Sequence, residues 1–347
     1  MIADLRNYDR QEMEKLISSF GEPQYRAVQL FQWIHRHGAE KVDEMTNLPL
    51  SLREKIKVEA DIYPPEVVEK LTSERDHTVK LLIKFPDGET VETVIMPYEA
   101  QQRCTVCVST QVGCPVGCPF CASGSSGFIR NLNTGEIISQ VLLAKKLEKD
   151  NFWKLTNVVF MGMGEPLLNY DAVLKTVRIL NDPQGLNMGQ RRITISTSGY
   201  VPGILKLAEE DLQVVLAVSL HSVDNKVRDF LVPLNKEYPL EKLAWALRVY
   251  NKKSGRRITF EYSLIEDLND TKECAEKLAA FVLQFKANVN IIPLNPVQGF
   301  SFKRSSGGKI RDFIKVLRDK GIEAAVREER GADIEGACGQ LRCRYLQ

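Results

Sequence analysis

Between Cys114 and Cys121 the chain reads Cys-Pro-Val-Gly-Cys-Pro-Phe-Cys, three cysteines at the spacing CxxxCxxC with two prolines and a glycine among them. Thiols this close on a tight loop can point inward onto one soft metal centre. Three is the informative number. A structural zinc site closes a tetrahedron with four protein ligands, usually from CxxC pairs or Cys/His mixtures, and no second CxxC or HxxxH follows. A 4Fe–4S cluster held by three cysteines instead leaves one iron open to an exogenous ligand. A disulfide loop, a three-plus-one zinc site and chance clustering among eight cysteines are the competing readings.

The placement of the cysteines bears on that choice. Cys104, Cys107, Cys114, Cys118 and Cys121 crowd into one region, Cys274 stands alone, and Cys338 and Cys343 lie at the far end. Secreted frameworks spread their cysteines for stapling, whereas clustering points to metal or redox chemistry. With no basic-then-apolar leader and no apolar run near about 18 residues, the expected location is the cytoplasm, without membrane contact. A length of 347 residues and 44% hydrophobic content allow one large core plus a small accessory domain. The net charge of +2, from 47 basic and 45 acidic residues, neither announces nor excludes a nucleic-acid partner, since a local basic surface decides.

The N-terminal part reads as helical. Pro23 opens QYRAVQLFQWIHRHG, where Val28, Phe31 and Ile34 recur at helical spacing and Gly38 can end the helix. Ser51 and Glu54 are placed as a capping box for SLREKIK. Arg26, Trp33, His35, Arg36 and His37 either belong to a small self-packed domain or present an RNA-facing surface. Residues 78–96 then alternate about a Pro86-Asp87-Gly88 turn, which predicts a β-hairpin. Its second strand puts Glu92 on a face with Val94 and Met96, a costly place for a carboxylate that is neither paired nor used.

From about residue 103 strands and helices alternate: CTVCVST, NVVFMGMG, RRITISTSG, VVLAVSL, RITFEYSLI and VNIIPLNP are continuous apolar strands, and Thr134 or Asn133 caps the helix GEIISQVLLAKKLEK. This predicts an α/β fold, a partial TIM-type (β/α)6 barrel with its site at the C-terminal strand ends. The expected domains are an N-terminal helical accessory domain (1–60), a hairpin extension and linker (61–102), the barrel (103–330) and a C-terminal loop (331–347). Four successive strand ends carry polar groups: Gly164 and Glu165, Ser196, Ser219 to His221, and Asn295. A zwitterionic, ribose-bearing ligand would need such a rim, although each group alone is as readily a turn or a cap.

With an aromatic residue, Phe120, directly before its last cysteine, the loop resembles the signature of radical S-adenosylmethionine (SAM) enzymes, in which SAM chelates the free iron. The ordered set CxSxQxGCxxxCxFC from Cys107, RNLNTGEI, FMGMGEPLLN, ITISTSG, VSLH, PLNK, IPLNP and GxDIxxACGQL resembles the RlmN family, the dual-specificity adenine-C2 RNA methyltransferases, over essentially the whole chain. The resemblance implies a radical SAM barrel, an RNA-binding role for residues 1–60, cluster ligands Cys114, Cys118 and Cys121, and SAM contacts from Gly164, Glu165, Ser196, Ser219, Leu220, His221 and Asn295. It makes Cys338 the methyl-carrying cysteine and Cys107, seven residues before Cys114, its partner. Glu92 is the implied base, with Glu89 nearby as the alternative. Cys104, Cys274 and Cys343 have no matched role.

The implied chemistry explains the extra cysteines. Carbon 2 of adenine has no useful nucleophilicity towards a sulfonium methyl, so two SAM molecules serve each turnover. One methylates the Cys338 thiolate; the other yields a 5′-deoxyadenosyl radical that takes a hydrogen from the S-methyl group. The thiomethylene radical adds to the base, and Cys107 releases it by forming a disulfide with Cys338 that reductant reopens. Implied partners are 23S rRNA, tRNA and an electron donor such as a flavodoxin or ferredoxin, with the enzyme a monomer. A relative that methylates carbon 8 typically has alanine in place of Pro166, so carbon 2 is favoured. A non-catalytic Fe–S RNA-binding module and a radical SAM activase of a protein client are the alternatives from other classes.

Overall fold

Ten strands hydrogen-bond in chain order into one mixed sheet. They are β1 (Glu66–Thr72), β2 (Val79–Lys84), β3 (Thr90–Tyr98), β4 (Arg103–Cys107), β5 (Lys154–Phe160), β6 (Ile193–Thr197), β7 (Val215–Ser219), β8 (Ile258–Leu264), β9 (Ala287–Pro293) and β10 (Ala324–Val326). Pairing is antiparallel from β1 to β4 and parallel from β4 to β10. The computed structural model describes residues 3–297 and 299–342, so Cys343 lies outside the described residues.

The parallel strands carry buried apolar residues because helices cover them. These are α4 (Thr134–Glu148), α5 (Tyr170–Asn181), α6 (Val201–Glu209), α7 (Asn225–Leu231), α8 (Leu240–Ser254), α9 (Lys272–Val282) and α10 (Gly307–Asp319), after the N-terminal α1 (Arg10–Ser19), α2 (Tyr25–His35) and α3 (Leu50–Glu59). Val158, Phe160, Ile195, Leu216, Val218 and Phe260 are fully buried in the resulting core. The sheet ends at β1 and β10 without closing, which makes the barrel a partial one. Among the described residues no helix is long and apolar enough to cross a membrane.

The hairpin expected at 78–96 is the middle of a larger unit. β1 flanks it, and β3 pairs with β4 in the register Val94↔Cys107, so the extension is continuous with the barrel sheet. β1 escapes a pattern reading because EVVEKLT has no fully buried position. Ala324–Val326 adds a seventh parallel strand beyond the six expected. At the start of α3 the expected Ser51/Glu54 capping box is absent: Pro49 is the N-cap, with no side-chain cap, because Ser51 already lies inside the first turn. Asn133, rather than Thr134, caps α4 in a reciprocal capping box with Glu136.

His35 does not face RNA. It is 1% exposed, packs on Phe31, and its Nε2–H donates to the carbonyl of Tyr8 at 3.0 Å. Burial pushes it down to about 4, so the unfolded imidazole takes up a proton that the folded one refuses. Stability is therefore lost as pH falls from about 6.5 towards 4, by about 2 kcal/mol at pH 5 from this residue. Denaturant midpoints at pH 7 and pH 5 are expected to fall further for the native chain than for His35→Gln; equal falls would show that His35 is not responsible.

Candidate active site

The C-terminal strand ends open onto a cavity of about 940 Å³, a volume that includes its open mouth, within the size range of small-molecule sites. Cys114, Cys118 and Cys121 line one side, and Gly164, Glu165, Ser196, Ser219, His221 and Asn295 line the rest. Leu220 does not reach it: its side chain is fully buried in the core, and its N–H donates to the carbonyl of Glu261 at 2.9 Å.

The cysteine loop is built for close approach. Gly113 has φ +74, and a Cβ there would lie 1.9 Å from the carbonyl oxygen of Gly127. Val116, Leu231, Val232, Ile265 and Leu294 form a separate apolar cluster against which Cys114, Cys118 and Phe120 pack. Burial pushes all three thiols up, Cys114 to about 12, with neighbouring thiols adding at Cys114 and Cys118. Such thiols become good ligands only when a cationic centre offsets the charge. Among the described residues no three His, Cys, Asp or Glu side chains converge tightly enough for a single metal ion. The three soft donors along one wall of the cavity fit a cluster of several irons.

A second indication comes from Asn295. Its amide Nδ2 donates to the carbonyl of Cys338 at 3.0 Å, while its Oδ1 is buried with no partner among the described residues. Buried acceptors are rarely left so, and a ligand N–H or O–H in the cavity would satisfy this one. Glu165 presents the cavity with its carboxylate: Oε2 accepts the N–H and hydroxyl of Ser198, both at 2.7 Å, and Oε1 accepts the N–H of Leu167 at 3.1 Å. Burial pushes this carboxyl up and the Ser198 bonds pull it back, so a ligand ammonium would favour its charged form.

His221 sits at φ 58, its Nδ1 accepts the N–H of Ser263 at 3.0 Å, and Phe120 meets its ring edge-on at 5.1 Å. Burial, then the Arg228 charge, pushes it down to about 3, so it is a neutral imidazole whose Nε2 carries the hydrogen.

Cys338 lines this cavity and a second one of about 580 Å³, where Cys107 also lies. Burial pushes Cys107 up to about 12, with the Cys338 charge adding and Arg327 opposing. The Cys338 segment is tied down on several sides: Ala122 N–H donates to the carbonyl of Gly339 at 2.8 Å, Ser123 Oγ to that of Leu341 at 2.6 Å, and Gln340 Nε2 to that of Pro296 at 2.9 Å. Glu92 lines neither cavity; it is 1% exposed and ion-paired with Lys80 at 3.2 Å.

Two residues of this site were not read from the sequence. Arg327 lines both cavities beside Glu261, at 3.7 Å, and the charges of Cys338, Glu261 and Cys107 push it up. Arg228 is a buried guanidinium that holds strand-end carbonyls from below. The only sequence signal for either is an arginine close to a strand end.

Residues 108–282 match the Radical SAM superfamily, and residues 3–62 match the ribosomal RNA large subunit methyltransferase N-terminal domain. A probable dual-specificity RNA methyltransferase RlmN from Syntrophomonas wolfei is 45% identical, the match covering 98% of this chain and 97% of the relative. The chain belongs to the RlmN family. An RlmN protein of Thermotoga neapolitana is 48% identical over 97% of this chain and 96% of its own length. The crystal structure of a radical SAM methyltransferase from Sphaerobacter thermophilus superposes with a TM-score of 0.94 at 46% identity, covering 98% of this chain and 99% of that one. Membership makes this chain an RNA methyltransferase of the radical SAM superfamily, which works with a 4Fe–4S cluster and SAM.

One feature of the cysteine loop can be tested without turnover. A Cβ on Gly124 would meet the backbone N and O of Cys118, each at 2.8 Å. Gly124→Ala is expected to shift Cys118 and to lower iron bound per chain at least about twofold after anaerobic reconstitution, read by iron analysis and visible absorbance. A native iron content would show that the loop tolerates the methyl group.

Proposed function

We propose that this enzyme methylates carbon 2 of an adenosine in the peptidyl-transferase region of 23S rRNA and, next to the anticodon, in tRNA, using two SAM molecules per turnover. The observation that carries the reading is the position of Cys338, on the wall shared by the three-cysteine cavity and the pocket that holds Cys107. A methyl carrier must reach the radical source on one side and its resolving thiol on the other.

When bound, the cluster and SAM supply a one-electron cleavage and a carbon radical able to take a hydrogen atom from a methyl group. Cys114, Cys118 and Cys121 hold the cluster. Gly164, Glu165, Ser196, Ser219, His221, Asn295 and the backbone of Leu220 position SAM. The Cys338 thiolate accepts the first methyl group and, as a thiomethylene radical, bonds to carbon 2. The adduct gives one electron to the electron carrier, a flavodoxin or ferredoxin, and its carbon-2 proton to Glu92, which restores the aromatic ring. Cys107 thiolate then forms the S–S bond as the C–S bond breaks; that pair stays on the methylene carbon, which is protonated to methyl. Two further electrons reopen the disulfide. Residues 1–60 grip the RNA, with Trp33, Arg36 and His37 in a groove against Lys145 of α4 and Lys149 just after it. Because a stacked base cannot reach Cys338, the adenosine is extruded first.

Anaerobic turnover of reconstituted enzyme with SAM, a reductant and rRNA or tRNA fragments tests this by mass spectrometry of the nucleosides. The expected product is 2-methyladenosine; 8-methyladenosine overturns the position, and SAM cleavage without RNA modification overturns the substrate.

A further inference from the structure

Lys80 and Glu92 form an ion pair inside the extension, on the face that also carries Leu82 and Val94. The register Lys80↔Val94 and Leu82↔Glu92 makes them diagonal neighbours on one side of β2 and β3, at 2% and 1% exposure, with Nζ 3.2 Å from Oε1. Burying two charges is expensive, and a well-packed apolar pair usually holds strands as well. Each member of the pair also reaches the Cys338 loop. Lys80 Nζ donates to the backbone carbonyl of Glu335 at 3.1 Å, and the backbone N–H of Arg342 donates to Glu92 Oε2 at 2.8 Å. Glu335 and Arg342 are the two stems of the loop that carries Cys338, and their own side chains meet at 3.4 Å. One ion pair therefore fastens one end of the loop to β2 and the other to β3, whose Val94 pairs with Cys107 of β4.

We propose that Lys80 is a positioning residue for methyl release: it holds the Glu92 carboxylate in place and with Glu92 it clamps the Cys338 loop at both stems. The inference rests on the reading of Glu92 as the base. In the step concerned, the carbon-2 proton passes to a Glu92 oxygen while its bonding pair returns to the ring. Removing an ammonium 3.2 Å from a buried carboxylate makes that carboxylate easier to protonate.

The test uses reconstituted holoenzyme with SAM, reductant and an RNA stem-loop, following S-methylation of Cys338, the protein–RNA adduct and its release separately. Lys80→Met is expected to methylate Cys338 and form adduct, yet release product at least tenfold more slowly at pH 7, with the release profile moved at least one pH unit upwards. Lys80→Arg is expected to recover part of the lost rate. Should Lys80→Met fail to fold, the double variant Lys80→Met/Glu92→Gln leaves no uncompensated charge. In it, the backbone amides of residues 335–342 are expected to exchange hydrogen at least tenfold faster than in the native chain. Glu92→Gln alone separates the two claims. If it releases product at the native rate, Glu92 is not the base and the inference falls with that reading. If it stalls while Lys80→Met keeps the native rate and pH profile, or if the double variant exchanges like the native chain, Glu92 stands and the role of Lys80 is overturned.

Discussion

Cys107→Ala is expected to trap the enzyme on its RNA, whereas Cys338→Ala is expected to stop the reaction before any adduct forms. Cys338 is the methyl carrier in the proposed sequence, and without its sulfur the loss of turnover should be on the order of 10⁴-fold. Removing Cys107 leaves loading and addition intact and removes only the nucleophile that opens the C–S bond. The placement of Cys107 favours this order of events. Its thiol is pushed up to about 12, first by burial and then by the charge of Cys338. Once Cys338 carries a methyl group or the base, that charge is gone, while Arg327 still favours the Cys107 thiolate. With the native enzyme, release should accelerate as pH rises above 7, because each unit gives about ten times more thiolate below the thiol's pKa. Mass spectrometry of the protein decides: an RNA adduct on the Cys338 peptide of Cys107→Ala, and unmodified protein for Cys338→Ala. Free 2-methyladenosine from Cys107→Ala at the native rate would remove Cys107 from the sequence of steps.

Much of this site could be read because its signals are local. CxxxCxxC needs only a tight loop, and the ends of β5, β6, β7 and β9 announce themselves as apolar runs stopped by glycine, serine, histidine or asparagine. Other features depend on where distant segments meet. Glu92 was legible as a misplaced carboxylate, but its partner Lys80 follows from the β2–β3 register, which a slip of one residue would turn to the other face. β1 was missed because a strand with no buried face has no alternation to detect. His35 resembled surface residues around it until its ring proved to face Tyr8 and Phe31. Arg228 and Arg327 were missed for a related reason: an arginine in a short helix or after a strand reads as solvated charge.

Arg228 carries the second large prediction. It is 1% exposed, and its guanidinium forks to Leu220 O at 3.1 Å, Ser198 O at 2.6 Å and Asn235 Oδ1 at 2.7 Å. Asn235 belongs to the PLNK turn, which is bonded in turn to Asn225 and Asp229. One planar cation therefore fixes the turn after β6, which orders Ser198 against Glu165, and the turn after β7, which carries His221. Burial pushes Arg228 down to about 10, still far above neutrality, so it stays charged. Arg228→Met fills the space but leaves buried carbonyls without donors, at about 1–3 kcal/mol each. Relief of the buried charge offsets part of this, and a net loss of about 3 kcal/mol is expected, or about 4 °C in midpoint for a chain of this length. The larger effect falls on SAM. With Ser198 and His221 released together, SAM affinity of the reconstituted protein is expected to drop by about 10²-fold, the effect of misplacing groups that hold a ligand. Arg228→Lys should recover little, since an ammonium cannot bridge carbonyls that diverge around a planar fork. Titration calorimetry with SAM, beside a melting curve, separates the two effects. Native SAM affinity in a destabilised Arg228→Met would make the residue a strut of the fold alone; a parallel loss ties the strand ends to the ligand through this one side chain.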